Sequence, residues 1–125
     1  MAESQRQPWT IEFYRAKRGN EPVKEFLLQL NENAGASVAR DISLLKQYGL
    51  AVSFPMVRPV EGVRKLWELR SRTTEGAVRI FYVARTGQRF VLLHAFIKKT
   101  AKTPKQELAI GVKRLRQVLM EEKGK

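Results

Sequence analysis

The sequence predicts a single α+β domain spanning residues 1–125, with an antiparallel sheet packed on a helical hairpin and a C-terminal helix in the order β-α-α-β-β-β-α. Three observations carry this. The short apolar runs LWELR, RIFYVAR and RFVLLHAFIK lie close together between Leu66 and Lys98. Amphipathic helical stripes stand before and after them. With 125 residues and no cysteine, the chain is long enough to bury one core without disulfide or thiolate-metal staples.

Trp9 to Phe13 alternates apolar and polar, as a half-buried strand does. Asn20 is a candidate cap for the next helix, with Pro22 in its first turn, where a missing N–H is harmless. Val23, Phe26, Leu27 and Leu30 then form the stripe of an amphipathic helix. NENAGA reads as an interruption, and a second helix is expected from about Ser37 to Tyr48, with Val38, Ile42 and Leu45 inward and Gly49 as C-cap. Residues 51–62, with Pro55, Pro59 and Gly62, read as a connecting loop. Strands are expected at about 63–70, 77–84 and 89–97. SRTTEG forms a polar link between the first two, and Arg85-Thr86-Gly87-Gln88 forms a tight turn between the last two. Thr103, Pro104 and Gln106 resemble a capping box for the last helix, whose stripe is Leu108, Val112, Leu115 and Leu119. Frayed ends are expected at about 1–7 and 121–125.

Charge narrows the function classes. The net charge is +12, and it is one-sided: residues 1–56 hold 7 basic and 6 acidic side chains, residues 57–125 hold 17 and 6. A merely soluble surface mixes the signs, whereas a one-sided excess is the footprint of phosphate binding. A generically basic protein, or one adhering to anionic membranes, is the plainer alternative, but no segment reads as a basic interfacial helix. No run approaches the roughly 18 apolar residues of a membrane span. Nor does MAESQRQPW read as a signal peptide, so the expected location is cytoplasmic. One histidine and unclustered carboxylates make a metal centre unexpected, and no cofactor is implied.

Strict alternation sorts the strand residues into faces. Trp67, Leu69, Val78, Ile80, Tyr82, Val91, Leu93, Ala95 and Ile97 would form an aliphatic layer under the helices, along with Lys65 and Lys99. The opposite face would mix Glu68, Arg70, Arg79, Phe81, His94, Phe96 and Lys98. Cations interleaved with aromatics can hold phosphates and stack bases. Glu68 could instead pair with Arg70 or Arg79 as a structural ion pair, and His94 could be a satisfied, partly buried histidine.

RNA cleavage by a 2′-OH requires a base, an acid and positive charge around the phosphate. Arginine suits the last task, and lysine can serve as a base when crowding or burial lowers its pKa. A single histidine rules out a paired-histidine mechanism within one chain. Glu68, Tyr82 and His94 are the candidates for proton transfer. Lys65, Arg72, Phe96, Lys102, Lys105, Lys113 and Arg116 are the candidates for RNA contact, the last three basic residues sharing one face of the final helix.

The strings Glu68-Leu69-Arg70, Arg79 to Tyr82 and Phe96 to Pro104, in this order and spacing, resemble the phage-derived HigB-like branch of the RelE/ParE toxin superfamily, over Ile11 to about Leu119. The resemblance implies a type II toxin that cleaves mRNA on the ribosome and is neutralised by a helix-turn-helix antitoxin. It implies catalytic or phosphate-binding roles for Arg70, Arg79, Lys98 and Lys99. RelE-type members also carry a tyrosine near the C-terminus, and none follows Tyr82 here. A ParE-like inhibitor of DNA gyrase, or an RNA-binding member without catalysis, is the alternative outcome of the same fold.

Overall fold

Alternating apolar residues do build the central sheet, and the structure, a computed structural model describing residues 7–123, adds a fifth strand to it. The elements are β1 (Thr10–Phe13), α1 (Pro22–Leu28), α2 (Glu32–Tyr48), β2 (Val57–Pro59), β3 (Trp67–Thr73), β4 (Gly76–Arg85), β5 (Arg89–Lys98) and α3 (Lys105–Lys123). The strand order is β1-β5-β4-β3-β2, antiparallel throughout except for β1, which runs parallel to β5. The α+β class holds, and α1 and α2 cover one face of the sheet as expected. α3 instead lies on the other, over Phe81, His94 and Phe96 of the face expected to stay open. The extra strand, β2, lies inside the stretch read as a loop. Pro59 obscured it, yet proline is tolerated on an edge strand, where its missing N–H breaks no ladder.

Several boundaries move for local reasons. α2 begins five residues before the expected Ser37, because the Asn31 side chain accepts the Ala34 N–H at 2.8 Å and caps the helix inside NENAGA. α1 is preceded by Glu21 rather than by an Asn20 side-chain cap. The Pro104 carbonyl accepts from the N–H groups of Glu107 and Leu108, so α3 starts just after the proline and not at it. The link between β3 and β4 is a tight turn, with Thr73 directly opposite Gly76. Of the expected frayed ends, residues 1–6 and 124–125 lie outside the described residues, and 121–123 continue α3. No helix among the described residues is long and apolar enough to cross a membrane.

One irregularity overturns part of the face assignment. Phe81 pairs with His94 but Tyr82 pairs with Leu92, so Leu93 is an extra residue, a bulge in β5. The bulge inverts alternation for the start of that strand. Phe90 and Leu92 therefore join Leu69, Val78, Ile80, Tyr82 and Ala95 beneath α1 and α2. Leu93 and Val91, expected in that layer, pack instead with Leu66, Phe81, Val83 and Phe96 against Leu115 and Val118 of α3. Both faces of the sheet are thus covered, one by two helices and the other by α3 alone. At Gly111 the helix comes close to the sheet: a Cβ there would stand 2.6 Å from the Phe81 ring.

Candidate functional site

The face under α3 ends in charge. Beyond the edge of α3's apolar contact, β2, β3, β4 and β5 contribute Arg58, Glu68, Arg70, Arg79 and Lys98. Register brings them together: Arg58 lies opposite Glu68, Arg70 opposite Arg79, and Lys98 opposite Ala77, two residues from Arg79. Four of the five follow from alternation in the sequence. Arg58 falls outside that alternation, because Pro55, Pro59 and Gly62 give its stretch the pattern of a loop. Its only sequence signal was an arginine two residues after Met56 in a stretch that carries no apolar period.

Arg79 is the centre of the group. It is 8 % exposed, Glu68 is 6 % exposed, and Arg79 Nη1 donates to Glu68 Oε1 at 3.3 Å. The structural ion pair weighed from the sequence is therefore present, yet it does not satisfy the guanidinium. Arg79 Nε is buried and has no hydrogen-bond partner among the described residues. A buried polar group left unpaired is costly, on the order of 1–3 kcal/mol, so Arg79 is held at some expense to the fold. Burial lowers the Arg79 pKa, the carboxylate of Glu68 opposes this, and Arg70 and Arg58 add to the lowering. An arginine stays protonated through such a shift. Lys98 is also lowered, first by burial and then by the charge of Arg79, with Arg70 and Arg58 contributing and Glu68 opposing. The cluster thus holds one arginine short of acceptors and one lysine whose pKa is drawn downward by burial and by its cationic neighbours.

Beside this cluster, where β2 stops and the edge of β3 is left open, lies a cavity of about 720 Å³. Arg70, Arg72 and Arg79 line it from the sheet, and Arg40 and Asp41 line it from α2. Ser71 donates to Asp41 Oδ2 at 2.6 Å and fastens α2 to this edge. Arg40, 74 % exposed in its side chain, was not singled out in the sequence because nothing in a helical stripe marks a surface arginine.

Other expected residues fall elsewhere. Lys99 follows β5 and lies with Phe26, Ile97 and Pro104 in a separate groove, so the paired lysines Lys98 and Lys99 diverge. Lys65 sits in the turn before β3 with a φ of 72°, not on the sheet, and Lys102 is in the exposed loop before α3. Phe96 is 4 % exposed and packed 5.5 Å from Phe81, so it has no open ring for a base. Tyr82 lies on the opposite face, edge-on to Phe90 at 5.3 Å, and burial pushes its phenol pKa well up. Neither can serve the cationic cluster.

His94 has partners of its own. Its Nε2 is 2.6 Å from Glu107 Oε1, and Arg114 Nη1 stands 3.4 Å from its Nδ1. A guanidinium can only donate, so Nδ1 is the acceptor and Nε2 carries the proton. Burial lowers the His94 pKa, outweighing the hydrogen bond and charge of Glu107. The neutral imidazole is therefore a tie between β5 and α3. Arg114 extends the tie by donating to the Leu93 carbonyl at 2.9 Å and lying 5.0 Å over the Tyr14 ring. Tyr14 in turn hydrogen-bonds Gln117. Lys105, Lys113 and Arg116 are exposed along α3 and share no cavity with Arg79.

The family described as "Phage derived protein Gp49-like (DUF891)" matches residues 25–116, a span that contains every member of the cationic cluster. No curated protein matches the chain. The family is generally associated with the toxins of toxin–antitoxin systems. With nearly three-quarters of its length inside that match, the chain belongs to the Gp49-like family of phage-derived proteins.

Proposed function

We propose that this protein is the toxin of a type II toxin–antitoxin pair and acts as a ribosome-dependent endoribonuclease on mRNA, as the HigB-like resemblance implies. The observation that carries the reading is the cationic cluster: strand register gathers Arg58, Arg70, Arg79 and Lys98 on one face, and Arg70 and Arg79 line the adjoining cavity. Phosphate oxygens are acceptors that such a cluster of cations can hold, and fixed donors around a developing phosphorane charge are an effective form of catalysis.

In the proposed reaction Lys98, whose pKa burial and Arg79 draw downward, takes the proton of the attacking 2′-OH. The 2′-oxygen closes a 2′,3′-cyclic phosphate, the P–O5′ bond breaks, and the leaving 5′-oxygen takes a proton from water. Arg79 and Arg70 bear on the pentacoordinate phosphate, while Arg58 adds charge. Glu68 holds Arg79 in position, since its carboxylate is buried in the same pair. The partner is an antitoxin, in keeping with the family.

Primer extension on messages from cells expressing the protein tests this. Discrete breaks that vanish in Lys98→Met and Arg79→Lys support it. Intact messages with broken DNA would replace it with gyrase inhibition, and intact messages with RNA still bound would leave a binding protein.

A further inference from the structure

Along the flank of α3 runs a shallow groove of about 600 Å³. Its floor is apolar, built from Leu108, Ala109, Val112 and Met120, the last 72 % exposed. The cations Lys105, Lys113 and Arg116 stand among and beside these side chains, and no carboxylate among the described residues lines it. Three cations could be neutralised by a phosphate backbone or by an acidic protein segment. The floor decides between them. Phosphates gain nothing by covering Leu108, Val112 and Met120, whereas apolar side chains gain the full benefit of removing them from water. Lys105, Ala109, Val112, Arg116 and Met120 recur every three or four residues, so they form one strip along the helix. Ala109 in its middle lets a second helix come close.

We propose that this strip is a docking site for an amphipathic helix of the antitoxin, whose contact face interleaves apolar and acidic side chains. The identity of the partner rests on the toxin reading, whereas its chemistry rests on the groove. Lys105, Lys113 and Arg116, expected from the sequence to contact RNA, are then contacts to protein.

The probe is the purified product of the reading frame adjacent to the gene, titrated calorimetrically onto the full chain at several salt concentrations. Wild type binds, and its affinity falls as salt rises. Met120→Glu and Ala109→Glu, both at exposed helix positions, each weaken binding about tenfold and together about 100-fold, with thermal stability and growth arrest unchanged. Arg116→Glu gives an independent reading: binding weakens and is restored by exchanging an acidic residue of the partner for lysine. Wild-type affinity in the double variant overturns the proposal, as does an adjacent product that does not bind wild type. Loss of growth arrest with the complex intact also overturns it, assigning the groove to nucleic acid. A wild-type chain that arrests no growth defeats the toxin reading alone, because the binding measurement stands apart from it.

Discussion

Toward α1 and α2 the sheet presents Leu69, Val78, Ile80, Tyr82 and Leu92, an unbroken apolar layer. Toward α3 the same strands present Phe81, Val83, Leu93 and Phe96, and then Glu68, Arg70, Arg79 and Lys98. The difference is in the cover. Two helices close the first face. A single helix lies on the second, packing on β4 and β5, and the area it leaves open is where the charge collects. A one-helix lid therefore permits a polar site on an otherwise buried sheet. The cations need no cavity through the core, only the absence of a second helix.

The largest effect should come from the charged half. Arg79→Ala should lower cleavage by about 100-fold or more, since losing one charge-stabilising donor costs about 3 kcal/mol in the transition state. It should also destabilise the fold by about 3 kcal/mol, because Glu68 is left buried and unpaired. Arg79→Ala/Glu68→Gln separates the two effects, regaining stability but not activity. Growth arrest undiminished in Arg79→Ala at equal expression would remove the residue from the mechanism.

The apolar halves should be equal in kind. Leu92 faces α1 and α2, Leu93 faces α3, and both are fully buried. Each substitution to alanine should cost about 2–5 kcal/mol in urea unfolding. A Leu93→Ala variant with native stability would mean that α3 does not seal its face, and the bulge would have to be abandoned with it.

How much of this comparison could be read from the sequence depends on how regular each segment is. Glu68, Arg70 and Arg79 lie on strands that keep strict alternation, so their common face was legible. β5 does not keep it. The extra residue at Leu93 inverts Phe90 and Leu92, and nothing in the string FVLLHAF marks where a bulge falls, since every member is apolar or aromatic except His94. Lys98 ends the strand on the expected side, while Lys99 has left it, a distinction invisible in a pair of identical residues. Arg58 was hidden by proline, and the early start of α2 by an asparagine that looked like a breaker and is a cap. Long-range matches such as Gly111 to Phe81 carry no local signal.

That last pair sharpens the comparison with a smaller effect. Gly111→Ala would drive a methyl to 2.6 Å from the Phe81 ring under the single-helix lid. It should destabilise by about 1–3 kcal/mol, although alanine suits a helix better. Gly35→Ala, in α2 on the two-helix side, meets nothing within 4 Å and should stabilise by about 0.5–1 kcal/mol. Two substitutions of the same kind should thus have opposite signs in thermal denaturation. Equal signs would mean that α3 sits farther from the sheet than Gly111 implies.

The smallest effect concerns the tie that holds α3 in place. Burial lowers the His94 pKa below the ordinary imidazole value of 6.5. Between the lowered folded value and 6.5 the unfolded chain binds more protons than the folded one, so stability rises with pH. The contribution is whole above about 6.5 and declines as the medium is acidified below it. The geometry gives the reason. Protonation would put a proton on Nδ1, the atom that faces the Arg114 guanidinium at 3.4 Å, and would set two cations against each other. His94→Gln keeps a donor for Glu107 but cannot take up that proton. Unfolding free energies measured from pH 7 to pH 5 should fall less steeply in His94→Gln than in the wild type, the other titrating groups being common to both. Parallel slopes would mean that His94 does not change charge on unfolding, and α3 would then be held on its half of the sheet by Leu115, Val118 and the Arg114 contacts alone.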